Sequence, residues 1–365
     1  MLDSIRLQQF RSYSDDSFEF ANGVNIIVGP NASGKTNLLE AILVASRGAS
    51  YRARDVGMVQ LGTTWGRIDA DGPTGPRIVK LEWQNDAVKK TFEIGGQQYQ
   101  RLSLPKTLPT VVFEPNHLLL LIGSPELRRA YLDDLIEQTT PGYGTVRRAY
   151  RRVLSQRNAL LKKGYSVAKS QIFVWDLRLS ELGGKIASER MKLTEHINEQ
   201  ATTIYQSLSN TKASVAVSYQ PSCDPQQYET SLLKHLESSL ERDCLLGFTN
   251  VGPHRDDIKI VLNDQSADDT ASRGETRSLV LMLKLIELEQ LERVRGLTPL
   301  LLLDDVFSEL DGARRHALTS HLEKYQTFIT TTDADIVLKN FAASTNVIPL
   351  GHAEPKPTKR RSKTS

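Results

Sequence analysis

Apolar and polar positions alternate over Ser4–Phe10 and again over residues 17–20, and Val24–Val28 is nearly all apolar. Asn22-Gly23 and Gly29-Pro30 punctuate these runs, so the opening reads as short β-strands joined by turns. Further strand-like pieces lie at residues 66–70, 77–83 and 90–94, the last closed by Gly95-Gly96. From Pro125 to about Ser209 the period lengthens. Val146, Ala149, Tyr150, Val153, Leu154, Leu160 and Leu161 recur at helical spacing, and Leu177, Leu182, Ile186, Met191, Ile197 and Ile204 continue it. Strands return at residues 213–219 and 257–262. The remainder alternates helix (276–293), strand (299–303), helix (313–324) and strand (327–331). There is no fixed-period internal repeat. The pattern predicts an α/β protein whose two chain ends supply strands around a mainly helical middle.

Composition narrows the class. With 39% hydrophobic and 24% charged residues over 365 positions, the chain reads as a soluble globular protein of about two to three structural units. No window approaches the ~20 consecutive apolar residues that span a bilayer, so no membrane association is expected. The first ten residues carry acid and base within a strand-like run and do not read as a signal peptide. Cys223 and Cys244 are the only cysteines, which excludes a disulfide scaffold and a four-cysteine zinc site and points to a cytoplasmic setting. The net charge is +3, yet Lys356, Lys359, Arg360, Arg361 and Lys363 supply five positive charges near the end with no acid among them. Removing those five leaves −2 for the rest, so the pI near 8.7 is mostly a tail effect. A polyanion site on the body has to be a local patch. The Pro-, Ser- and Thr-rich tail itself, 353–365, reads as disordered.

Gly29-Pro30-Asn31-Ala32-Ser33-Gly34-Lys35-Thr36 fits G-x-x-x-x-G-K-[ST] and sits between a strand and a helix-like run. Backbone N–H groups of such a loop converge on phosphate oxygens, helped by the helix N-terminus. Lys35 is expected to reach the β and γ phosphates of ATP and Thr36 to ligate Mg²⁺. Leu300 to Leu303 read as a buried parallel strand that ends in Asp304-Asp305. An acid at that strand end suits a Walker B carboxylate, with Asp304 on the Mg²⁺ side and Asp305 polarising water. Alone, two acids there could equally cap a helix. Thr36 and Asp304 are 268 positions apart, so a large segment is inserted between them. Ser272-Arg273-Gly274-Glu275 precedes a long helix; serine and glycine there are ordinary capping chemistry. Followed by helix, buried strand and Asp-Asp, the segment instead has the layout of an ABC-type signature, with Ser308-Glu309-Leu310-Asp311 in the D-loop place. These pieces together predict a head that works as an ATP-dependent homodimer, Ser272 and Gly274 of one copy completing the nucleotide site of the other.

Between Arg147 and Lys163 there are seven bases and no acid. On a helix, Arg147/Arg151 and Arg148/Arg152 stack at i,i+4 as a cationic stripe, which destabilises an isolated helix and suits DNA backbone contact. Pairing with acids from elsewhere is the plain alternative. His254-Arg255-Asp256-Asp257 has no second ligand group at metal spacing and reads as a hydrogen-bonded turn.

With these elements placed, the chain resembles the RecF family, bacterial recombination-mediator ATPases of the SMC-like ABC group, over nearly its whole length. The resemblance rests on Phe10-Arg11-Ser12-Tyr13, on Lys35-Thr36-Asn37-Leu38-Leu39-Glu40-Ala41-Ile42 and on Phe113-Glu114-Pro115. Gly123-Ser124-Pro125 with Arg128-Arg129, Gln156-Arg157-Asn158, Gly252-Pro253-His254-Arg255-Asp256-Asp257 and Asp304 to Asp311 extend it. It implies an ABC-type head with parallel and mixed sheets (1–124 and 246–352), an inserted helical arm at 125–245, and Arg11 near the nucleotide phosphates. It also implies action on single-stranded and gapped duplex DNA, with RecR- and RecO-type mediators as partners and slow ATP hydrolysis as a switch. The sequence departs from the family at Glu275-Thr276, where glutamines are usual, and at Asn116, where an acid is usual. Thr330-Thr331-Thr332-Asp333 stands where transporter ATPases carry a switch histidine. A transporter-type ATPase subunit and another kind of SMC-like head are the competing readings.

Overall fold

The computed structural model describes residues 1–50, 55–85, 87–307, 310–333 and 345–351. Ser308 and Glu309 of the expected D-loop and the five tail bases lie outside the described residues. In chain order the elements are β1 (Ser4–Phe10), β2 (Tyr13–Glu19), β3 (Val24–Val28), α1 (Lys35–Arg47), β4 (Trp65–Asp71), β5 (Arg77–Gln84), β6 (Ala87–Ile94), β7 (Gln97–Tyr99) and β8 (Thr110–Phe113). Then come α2 (Leu119–Ile122), α3 (Pro125–Thr139), α4 (Tyr143–Leu161), α5 (Tyr165–Gln171), α6 (Phe173–Ser209), β9 (Val215–Gln220), α7 (Tyr228–Ser238) and α8 (Leu240–Leu246). The chain ends with β10 (Asp257–Leu262), β11 (Gln265–Ser266), α9 (Ala267–Thr270), α10 (Arg273–Arg295), β12 (Leu300–Asp304), α11 (Gly312–Leu322), β13 (Gln326–Thr331) and β14 (Thr345–Pro349).

These elements form two compact units. The first comprises Met1–Glu114, Thr298–Asp311 and the chain from Thr319 onward. It holds a six-stranded antiparallel sheet in the order β2-β1-β4-β5-β6-β7 and a five-stranded parallel sheet in the order β14-β3-β13-β12-β8. Helix α1 is buried on nearly every side and touches strands of both sheets. Its Leu39 and Ile42 share one core with Leu7 and Val79 of the antiparallel sheet and with Leu302 and Phe328 of the parallel one. A helix apolar all round belongs in such a position. The four leucines of β12 are at most 2% exposed, as the strand's position between β13 and β8 requires. Register places Asp304 opposite Thr330, and Thr331 opposite Val28, so the strand ends that feed the phosphate loop and the acids share one edge.

The second unit spans Pro115–Leu297 and Gly312–Leu318. It is wider than the arm expected at 125–245, for two reasons. Helix α10 packs along α3 and the 37-residue α6, and β10 pairs antiparallel with β9 in the sheet β11-β10-β9. The signature-like segment therefore belongs to the unit of α6, while the Walker residues belong to the other. Two buried arginines cross-link the helices of this unit. Arg157 of α4, 0% exposed, donates to Asp176 of α6 at 2.6 Å, and to Asp243 of α8 at 2.7 Å and Thr249 at 2.8 Å. Arg190 of α6 donates to both oxygens of Asp133 on α3, at 2.9 and 3.0 Å, and to the Pro253 carbonyl. Burial alone raises the Asp133 carboxyl, but Arg190 and the Tyr143 hydroxyl bring it below the usual carboxylate range. His254 sits in the expected turn, with Nε2 on the Thr249 carbonyl and Nδ1 on the Tyr150 hydroxyl.

Truncating Arg157 leaves Asp176 and Asp243 buried without their cation, an arrangement that typically costs about 3–5 kcal/mol. Arg157→Ala is expected to lower the denaturant midpoint by a corresponding amount. An unchanged midpoint would show that the pair does not hold α4, α6 and α8 together.

Candidate nucleotide-binding site

The loop from Gly29 to Gly34 joins the C-terminal end of β3 to the first turn of α1. Ala32 and Gly34 both have positive φ, 65° and 102°. At Gly34 a side chain has no room as well: a Cβ would meet the Tyr13 hydroxyl at 2.9 Å and Ser12 Oγ at 3.0 Å. Gly34 caps α1 without a side-chain acceptor, and the first turn holds no acid. The first amides of the helix are thus left to an anion. Lys35 Nζ, on a residue only 9% exposed, donates to the Gly29 and Pro30 carbonyls, both at 2.8 Å. Among the described residues, Ser33 Oγ is buried without a hydrogen-bond partner. An unsatisfied hydroxyl, a lysine held by carbonyls and a helix start free of acids fit a phosphate chain.

Thr36 Oγ1 donates to Asp304 Oδ1 at 3.0 Å, so the two halves of the expected metal site meet across 268 positions. Asp304 is 8% exposed, whereas Asp305 beside it is exposed and has φ 54°. Hydroxyl and carboxylate oxygens at this spacing are the ligand types that Mg²⁺ takes.

Arg11 was expected near the phosphates. Its guanidinium forms a two-pronged ion pair with Glu40 of α1, at 2.7 and 2.8 Å, and the Ser50 hydroxyl donates to the same carboxylate. Glu40 is fully buried, so the pair anchors the phosphate-loop helix from below. Two neighbours continue the brace: Ser12 Oγ accepts from Asn37 Nδ2 at 3.0 Å, and the Tyr13 hydroxyl donates to the Gly34 carbonyl at 3.0 Å. Burial pushes the Tyr13 phenol well above its usual value, which keeps it a donor. Sequence reasoning found Arg11 but missed Tyr13 and Glu40. Their signal was the spacing of turn and helix residues that only a fold brings together.

In the second unit, Ser272 caps α10 through a complete capping box. Its Oγ accepts from the Glu275 amide at 3.3 Å, and Glu275 Oε2 accepts from the Ser272 amide at 2.8 Å and hydroxyl at 2.7 Å. Those bonds hold the Glu275 carboxyl below its usual range, the Ser272 hydroxyl contributing most. A Cβ at Gly274 would lie 3.0 Å from Nη2 of Arg314, whose Nε donates to Ser278 Oγ at 2.8 Å.

The cationic stripe of α4 divides. Arg147 pairs with Glu137 at 3.1 Å and Asp133 at 3.4 Å, because α3 lays its acids against the first turns of α4. Arg157 is buried, as described above. Arg148, Arg151 and Arg152 are exposed, Arg148 donating to Thr145 Oγ1 at 3.0 Å. The expected i,i+4 pairing therefore survives only as Arg148/Arg152, with Arg151 beside it.

Residues 4–238 match the family model described as an AAA domain. The chain is 38% identical to the DNA replication and repair protein RecF of Heliobacterium modesticaldum over 343 residues, covering 91% of this chain and 92% of that protein. It is 34% identical to the protein of the same name from Streptococcus uberis over 344 residues, covering 92% and 94%. Among solved structures, the recombination mediator protein RecF-ATPrS in the RecFOR pathway superimposes with a TM-score of 0.82 at 31% identity, covering 91% of this chain and 92% of that one. The RecF-ATP structure gives 0.80 at the same identity and coverage. An Smc head bound to the C-winged helix domain of ScpA matches with a TM-score of 0.52 at 15% identity, a likeness of fold alone, covering 93% and 91%. These relatives set the transporter reading aside and place the fold with ABC-type ATPase heads of the RecF and SMC kind. The chain belongs to the RecF family of DNA replication and repair proteins.

Proposed function

We propose that the protein is an ATP-dependent DNA-binding protein of replication-fork repair and recombination that acts at single-strand gaps, with slow hydrolysis as its switch. The observation that carries this reading is the Thr36–Asp304 contact at 3.0 Å beside an acid-free phosphate loop, in a chain whose relatives are named for DNA replication and repair. Gly29 to Thr36 hold the nucleotide, and Thr36 and Asp304 hold Mg²⁺. When bound, the metal neutralises charge on the phosphates. Asp305, exposed at the same edge, orients water for hydrolysis. Ser272 and Gly274 meet the nucleotide of a second copy in an ATP-dependent dimer. Arg148, Arg151 and Arg152 contact DNA phosphates, and RecR- and RecO-type proteins are the partners at the gap. The work belongs in the cytoplasm; no helix among the described residues is long and apolar enough to cross a membrane. A gel shift comparing gapped with fully duplex DNA, with and without ATP, tests the reading. ATP-dependent preference for the gap is expected, and equal binding in all four arms overturns it.

Lys35→Ala removes the only side-chain cation of the loop and is expected to abolish productive ATP engagement. Asp305→Asn is expected to keep ATP binding and lose turnover, since the metal rests on Thr36 and Asp304. Equilibrium binding and single-turnover hydrolysis separate the two outcomes.

Glutamine also serves in a capping box, so Glu275→Gln removes charge without removing the cap. Light scattering is expected to show a tighter ATP-dependent dimer with an unchanged melting temperature. A dimer no tighter than wild type would mean that Glu275 does not face phosphate.

Reversing Arg151 and Arg152 to Glu is expected to weaken DNA binding across sequences and to flatten the slope of log affinity against log salt by about 1.4 to 1.8, roughly 0.7–0.9 per lost phosphate contact. The same measurement on a chain ending at Pro355 removes the tail bases. If tail removal alone erases the salt dependence, these arginines are only a solvated helix face.

A further inference from the structure

We infer that Thr330 is a positioning residue that ties the two acids of the site to each other. Its hydroxyl donates to Asp304 Oδ1 at 2.9 Å and accepts the backbone N–H of Asp305 at 2.8 Å. The direction of both bonds is fixed by chemistry. An amide can only donate, so the hydroxyl receives that hydrogen and its own proton is left for an acceptor. Among the described residues the competing acceptor is the Leu303 carbonyl at 3.5 Å, the outer limit of a hydrogen bond.

The placement gives this tie its effect. Thr330 is 1% exposed and stands on β13, between the strand that feeds the phosphate loop and the strand that carries the acids. Its partner oxygen, Asp304 Oδ1, is the one that also receives the Thr36 hydroxyl at 3.0 Å. The carboxylate is therefore fixed from two sides, by a hydroxyl from α1 and another from β13. Asp305 lies in the left-handed region at φ 54°, a conformation uncommon outside glycine that aspartate tolerates better than most residues. The Thr330 oxygen takes up the amide that this turn points inward. One hydroxyl thus sets the aim of Asp304 and the backbone turn that presents Asp305, although Thr330 itself need touch neither nucleotide nor metal.

The inference rests on the reading that Asp304 and Asp305 serve ATP turnover, and its test has an arm that does not. Valine matches threonine in shape and removes both bonds. In the nucleotide-free full-length chain, hydrogen exchange of the Asp305 amide is expected to accelerate about tenfold or more in Thr330→Val and to stay near wild type in Thr330→Ser. With ATP, Thr330→Val is expected to keep nucleotide affinity within about threefold, to lose roughly tenfold to hundredfold in turnover, and to need more Mg²⁺ for half-maximal rate. Thr330→Ser is expected to recover turnover and Mg²⁺ dependence. A purely structural role would lower the melting temperature and leave the Mg²⁺ profile in place. Unchanged Asp305 exchange in the valine variant overturns the tie itself. Faster exchange with wild-type turnover and Mg²⁺ profile overturns its role in positioning the acids. Should the wild-type chain show no ATP turnover, the proposed function fails, and the exchange arm still decides the tie.

Discussion

The hydroxyl of Thr36 and the carboxylate of Asp304 meet only because β3, β13 and β12 run parallel as neighbours in one sheet. Parallel pairing sends all three strand ends to the same edge, where loops leave the sheet and a ligand can sit. Everything at the site inherits its position from that register: the phosphate loop follows Val28, Asp304 ends β12, and Thr330 stands between them. A one-residue slip of β12 against β13 would turn the Asp304 side chain to the other face and separate it from both hydroxyls. Register is protected by burial on both sheet faces. The β12 leucines and Phe328 and Ile329 of β13 are almost wholly enclosed, and a slip would draw Pro299 or Asp304 into that apolar run.

The same sheet explains why α1 is held so firmly. A phosphate-loop helix that must present its first amides cannot also cap them with its own side chains, and Gly34 supplies none. The compensation comes from outside the helix. Arg11, Ser12 and Tyr13, at the turn between β1 and β2, reach Glu40, Asn37 and the Gly34 carbonyl. Glu40 is a fully buried charge, tolerable because Arg11 engages both of its oxygens. Arg11 thus braces the phosphate-loop helix through its partner Glu40.

Much of this was legible in the sequence because the relevant signals are local. Glycine spacing between a strand and a helix, four leucines before two acids, and helical periodicity through residues 146–204 each follow from neighbours in the chain. The resemblance to one family supplied the order in which these pieces assemble. What the sequence concealed depends on long-range pairing. The seven bases between Arg147 and Lys163 look alike as letters, yet Arg147 faces Asp133 and Glu137 of α3, Arg157 lies in a buried ionic centre, and Arg148, Arg151 and Arg152 face solvent. Period alone could not sort them, because the sorting is done by α3, α6 and α8. Thr330 was equally hidden: in sequence it is one of three threonines, and only the strand order makes it the neighbour of Asp304.

The segment at Ser272 shows how a structural and a functional assignment can share the same atoms. The capping box satisfies the Ser272 hydroxyl and the Glu275 carboxylate within one chain, so neither is idle. For Ser272 to meet a phosphate held by a second copy, its hydroxyl would have to exchange the Glu275 carboxylate for a phosphate oxygen, one anion for another. That exchange is close to balanced in hydrogen bonding, and it leaves Glu275 with only its bond from the Ser272 amide, near a second negative charge. Glutamine at the same place could cap the helix equally well without that repulsion. In a dimer closed through Ser272, the acid would therefore make closure more costly than capping chemistry requires.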